Sequence, residues 1–133
     1  MASIHREISI SAPAEHVWGA VRDVGALHTR LVPGFVVDTK LEVGARVVTF
    51  GNGSVARELI VDVDDRARRI AWAVVGTRMT HHNASLQLFA ENGRTRGVWI
   101  ADLLPHEIAP QIAGMIEQGL SVMKRTMEES IDR

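Results

Sequence analysis

The chain has 133 residues, with 15 basic and 16 acidic side chains, six histidines and no cysteine. The net charge of −1 argues against nucleic-acid binding, which needs a basic face, and against a polybasic membrane anchor. The absence of cysteine excludes disulfides, thiolate metal sites and a cysteine nucleophile, and no apolar run reaches the roughly 20 residues of a membrane helix. The start, Met1 to Glu7, lacks the basic-then-apolar pattern of a signal peptide, so a cytoplasmic protein of one domain, 1–133, is expected.

Residues 3–11 alternate, with Ile4, Ile8 and Ile10 on one parity, and read as a half-buried strand with Arg6 out of place on the apolar side. Ser11-Ala12-Pro13 opens a helix that Ser11 would cap, with Val17, Trp18 and Val21 on its apolar face. Gly25 breaks the pattern, and residues 25–31 read as a second short helical piece. After Pro33-Gly34 come six strands joined by turn signals. In the first, Phe35, Val37 and Leu41 share the apolar parity. Arg46 to Phe50 and residues 54–63 flank the hairpin signal Gly51-Asn52-Gly53. Ile70, Trp72 and Val74 line one face of the next strand; residues 81–90 and 95–104 follow, joined by Glu91-Asn92-Gly93. From Pro105 the period becomes helical, through Ile108, Ile112, Met115, Gly119, Val122, Met123 and Thr126. The predicted class is α+β: a curved antiparallel sheet of about seven strands, two short helices after the first strand, and one long C-terminal helix.

Local sequence sharpens this. Ser-Ala-Pro-Ala-Glu-His-Val-Trp (11–18) resembles the opening of SRPBCC proteins, the START and birch-pollen-allergen-like superfamily. Residues 57–65, 70–76 and 99–105 agree with it, and the chain is most similar to bacterial polyketide cyclase/dehydrase-type proteins. The resemblance implies the helix-grip fold, in which the sheet wraps the C-terminal helix and leaves an apolar cavity between them. It implies binding of a hydrophobic or aromatic small molecule there, or, alternatively, cyclase, dehydratase or aromatase chemistry in the same cavity. Plant abscisic-acid receptors share the outline of residues 57–83, and the resemblance matches Glu58 to a sheet glutamate that helps to bind the hormone through water. Their hormone-pairing lysine falls near Val37, and their gate and latch are replaced by residues 51–54 and 78–80, so the same mode of binding is not expected.

The expected pocket lies between Phe35, Val37, Trp72 and Trp99 on the sheet and Met115, Gly119 and Met123 on the helix, with a polar handle from Glu58, His82 or Asn83. Glu58 and His82 are the candidate catalytic groups, since a carboxyl or imidazole inside a cavity suits proton transfer. For Glu58 two readings stand. Alternation with Val55, Leu59, Val61 and Val63 turns Arg57 inward and Glu58 to solvent; the resemblance turns Glu58 inward, and a bulge would reconcile them. Apolar parity with Ala84, Leu86 and Leu88 places His82 inside and His81 and Asn83 outside, and adjacent histidines on a strand point to opposite faces. No metal-ligand spacing, phosphate loop or nucleophile elbow occurs, so no metal or cofactor is expected. Ordinary core packing is the better reading for Trp18, and fits any single one of the helix residues at least as well. Asp102 is expected to interact with the start of the long helix. A third reading is a homodimer formed through an outer apolar strip of Val36, Val48, Val98 and Ile100.

Overall fold

The computed structural model describes residues 2–131. Strand β1 (Ala2–Ile10) is followed by helix α1 (Ala14–Val21) and a single π-helical turn (Leu27–Leu31). The antiparallel meander then runs through β2 (Val36–Glu42), β3 (Ala45–Phe50), β4 (Val55–Asp64), β5 (Arg69–Val75), β6 (His81–Glu91) and β7 (Arg94–Leu104). A 3-10 turn (His106–Ile108) leads into the long helix α2 (Ala109–Ser130). The sheet order is β1-β7-β6-β5-β4-β3-β2, so the first strand closes the meander beside the last. This is the helix-grip arrangement. One of the two helical pieces expected after β1 is only the π turn.

Alternation in β1 buries Ile4 and Ile10. Arg6, on the same face, reaches the edge of the core, where its Nε donates to Glu117 Oε2 of α2 at 3.0 Å. Two more contacts fasten α2 to β1: Lys124 Nζ donates to the Ser9 carbonyl at 2.9 Å, and the Ser11 N–H donates to Glu128 Oε2 at 2.7 Å. The Ser11 hydroxyl accepts from Arg94 and does not cap α1, which starts after Pro13 without a side-chain cap. The inner face of α2 carries Ala113, Ile116, Gly119, Leu120, Met123 and Met127. They meet Ile4, Ile70, Leu86, Leu88 and Leu103 in one core. Helix α1 adds Val17, Trp18 and Val21 to that core, and the Trp18 indole N–H donates to Asp65 Oδ1 at 2.9 Å.

Two β-bulges change which side chains face inward. In β2 the register shifts between Val36 and Asp38. One extra residue reverses the alternation around it. Val36 is turned inward and buried, and Val37 is expelled, 53% exposed. In β4 the register shifts between Ile60 and Asp62. Ahead of this bulge the even residues Ala56 and Glu58 are buried, and beyond it the odd residue Val63 packs on the core. Val55, Val61 and Val63 share a parity but not a face, so the bulge settles the two readings of Glu58 in favour of the interior.

The outer apolar strip does not form. In β3 the even residues face inward, so Val48 is wholly buried, and Val36 is turned inward as well, whereas Val98 and Ile100 stay on the outer face beside His5, Glu7 and Gln87. Asp102 points away from α2 and accepts from Ser3 Oγ at 2.6 Å.

Candidate functional site

Between the sheet and α2 lies a cavity of about 240 Å³. Phe35, Glu58, Trp72, His82, Trp99, Met115, Gly119 and Met123 all line it. Val37 does not, because the β2 bulge turns it out and puts Val36 in its place. Asn83 does not either: it is exposed, on the opposite face of β6 from His82, as strand alternation requires. The exposed lining residues Ser54, Val55, Thr77, Arg78 and Gln111 mark the mouth, formed by the β3–β4 turn, the β5–β6 loop and the first turn of α2.

The apolar walls are built from two aromatic pairs. Trp72 and Trp99 meet edge to face with ring centres 5.4 Å apart, and Phe35 and Phe50 do the same at 5.6 Å. Such geometry sets the positive edge of one ring against the negative face of the other. Gly119 lets the helix approach Phe35: a Cβ there would lie 3.1 Å from the ring, tighter than ordinary contact.

The polar part is a buried ion pair. Arg46 on β3 and Glu58 on β4 face each other directly, and they are 5% and 6% exposed. Arg46 Nε donates to Glu58 Oε1 at 2.8 Å, and its Nη1 donates to the Val24 carbonyl at 3.3 Å. Among the described residues Nη2 of Arg46 and Oε2 of Glu58 have no protein partner. No fully shielded polar side-chain atom among the described residues lacks one, so these two atoms keep accessible surface, and both residues line the cavity. The pair thus presents a donor and an acceptor side by side in an apolar chamber.

Reading the sequence missed Arg46. An isolated arginine in a short strand looks solvent-facing, and only pairing brings it to Glu58. The signal was present, since Arg46 and Glu58 are equidistant from Asn52, the middle of the hairpin turn. The buried Val36 and the half-buried Phe50 and Ile112 were likewise not expected in the lining.

His82 occupies the same face of the sheet. Its Nδ1 accepts the Val74 N–H at 3.1 Å. Burial, then the charge of neighbouring His81, push its imidazole down to about 4. The ring is accordingly neutral at neutral pH. No group of three or more histidine, aspartate or glutamate side chains arranged to hold a metal occurs among the described residues.

Solved structures of similar shape share this architecture. A protein from Thermobifida fusca aligns at 25% identity and a TM-score of 0.78, over 97% of this chain and 95% of its own. An aromatase/cyclase, Zhui, from Streptomyces aligns at 18% identity and 0.74, over 99% and 94%. Norcoclaurine synthase from Thalictrum flavum, solved with dopamine and hydroxybenzaldehyde, aligns at 17% and 0.71, over 98% and 86%. No curated protein matches the sequence. None of the described helices is long and apolar enough to cross a membrane. The family profile described as polyketide cyclase/dehydrase and lipid transport matches residues 1–128. The chain therefore belongs to the polyketide cyclase/dehydrase and lipid transport family.

Proposed function

We propose that the protein binds a hydrophobic or aromatic small molecule in the cavity between the sheet and α2. The observation that carries this reading is the cavity itself, with aromatic walls and two unpartnered polar atoms of a buried ion pair. Protein interiors are normally packed to crystal density, and buried polar atoms are normally partnered. A chamber that keeps both an apolar void and open hydrogen-bonding atoms is suited to a ligand that fills one and satisfies the other. The family and the likeness to an aromatase/cyclase support the same class of occupant.

Native mass spectrometry of gently purified protein, followed by denaturing extraction, tests this. A co-purifying small apolar molecule, or saturable uptake of the neutral probe N-phenyl-1-naphthylamine, is the expected result. Bare protein that also fails to take up the probe would overturn the reading.

A second reading, cyclase- or dehydratase-type catalysis, is favoured by Glu58 and His82 lining one cavity. The carboxylate would take a proton from a bound substrate, and the cavity would hold that substrate folded for reaction. Its test is Glu58→Gln. Turnover of a substrate found by extraction should fall while binding persists, and unchanged turnover would remove Glu58 from the mechanism.

A further inference from the structure

Strands β5 and β6 pair from Arg69 opposite Gln87 to Trp72 opposite Ala84. The Leu88 N–H donates to the Arg68 carbonyl at 2.9 Å, so even-numbered residues form the hydrogen-bonded rungs of this ladder. The next rung would join Val74 to His82 through their backbones. Instead the Val74 N–H donates to the His82 ring at Nδ1. The imidazole stands in for its own carbonyl, the strands part, and residues 77–79 beyond them form part of the mouth.

A ring nitrogen that accepts a hydrogen bond carries no hydrogen, so the neutral imidazole bears its hydrogen on Nε2. Among the described residues Nε2 has no protein partner, yet no fully shielded side-chain nitrogen lacks one. It is therefore an accessible donor on a ring that lines the cavity, held in one tautomer by the backbone. Glu58 pairs with Val74, which in turn lies beside His82, so Arg46, Glu58, Val74 and His82 make one row across four strands. Paired strands lie about 4.8 Å apart, and β5 and β6 part at this level, so the Glu58 and His82 backbones are separated by more than about 10 Å. At one end of the row sit an acceptor, Glu58 Oε2, and a donor, Arg46 Nη2. At the other end sits a donor alone.

We propose that the cavity selects a flat apolar molecule with two oxygen functions at opposite ends. One is a hydroxyl, which donates to Glu58 and accepts from Arg46; the other is a carbonyl, which accepts from His82 Nε2. A hydroxyl fits the first position because it alone both donates and accepts at a single oxygen. A carbonyl fits the second because it only accepts. This selectivity rests on the small-molecule reading above.

The probes are 6-acetyl-2-naphthol, 2-naphthol, 2-acetylnaphthalene and naphthalene, titrated against tryptophan fluorescence. The expected result is that 6-acetyl-2-naphthol binds about tenfold more tightly than either single-function compound, one added hydrogen bond to a polar group being worth about that factor. His82→Phe should abolish the advantage of the acetyl group and leave 2-naphthol unchanged. Equal affinity for the four compounds would overturn the proposal and leave the pocket reading intact, whereas no binding of any would overturn both. Nitrogen-15 shifts of the His82 ring give a test that needs neither ligand nor variant. Hydrogen on Nε2 supports the proposal, and hydrogen on Nδ1 overturns it.

Discussion

Arg46 Nε lies 2.8 Å from Glu58 Oε1, with both side chains almost wholly removed from water and directly opposite on neighbouring strands. Burying each charge is costly, and their mutual attraction offsets that cost only while both are present. Removing one partner leaves a buried charge behind. Arg46→Met or Glu58→Leu alone should therefore destabilise the fold by about 3–5 kcal/mol, while the double variant should recover much of the loss. Urea unfolding of the four proteins checks this. Additive losses in the double variant would show that the two charges are not coupled.

Stability should also depend on His82. Burial first, and then the His81 charge, push its imidazole down from 6.5 to about 4 in the folded protein. The unfolded chain binds a proton here near pH 6.5, and the folded chain resists it until about pH 4. Its contribution is thus fully present above pH 6.5 and is lost as pH falls toward 4. With the ring partly open to solvent, the loss should be on the order of 1–2 kcal/mol. The carboxylates of Glu7, Asp65 and Glu128 lie below their ordinary values, held there by Arg96, Arg22 and Lys124 respectively. Their contributions are present above the ordinary carboxylate range and disappear below it. Unfolding curves from pH 8 to pH 4 should accordingly show a decline between pH 6.5 and 4.5 that His82→Phe lacks.

Gly119 faces two opposed effects. Alanine is favoured over glycine inside a helix by about 1 kcal/mol. A Cβ here, however, would press on the Phe35 ring at 3.1 Å. Gly119→Ala should consequently change thermal stability little while pushing Phe35 into the cavity. Uptake of N-phenyl-1-naphthylamine should weaken roughly fivefold, equivalent to about 1 kcal/mol. Unaltered uptake would show that Phe35 yields elsewhere.

Gly51 is constrained differently. A Cβ at this position would collide with the Gly34 carbonyl oxygen, and the Gly51 N–H donates to the Phe35 carbonyl at 2.9 Å. This contact docks the β3–β4 turn on the segment that delivers Phe35. Backbone cannot step aside as a flexible side chain can, so Gly51→Ala should cost about 1–3 kcal/mol. It should also disturb the mouth. Thermal unfolding, together with amide shifts at residues 34–36, would check both effects.

Period and punctuation alone made most of the architecture legible. Alternation in residues 3–11, the two glycine-centred hairpins, and the helical recurrence after Pro105 predict the strands, their order and α2, because each is a local preference. The same patterns turn Trp72, Trp99 and His82 to the inner face of the sheet and Met115, Gly119 and Met123 to the inner face of α2, and there they line the cavity. Where the pattern misled, the cause was an insertion into it. One extra residue in β2 exchanged Val37 for Val36, and one in β4 brought Glu58 inward while Val55 and Val61 turned out. Nothing in a strand's own residues marks a bulge, since the extra residue is defined only against the partner strand.

The sequence by itself determined the α+β class and the apolar faces of sheet and helix, because burial of periodic hydrophobic side chains is decided residue by residue along each element, and its resemblance to SRPBCC proteins implied the helix-grip cavity between them. Tertiary structure alone decided the polar chemistry. Arg46 meets Glu58 only through cross-strand register, and the His82 ring acquires its tautomer only by taking the N–H of Val74 on the neighbouring strand. Hydrogen bonds and ion pairs depend on distances of a few ångströms between residues remote in sequence, and those distances exist only once the sheet has formed.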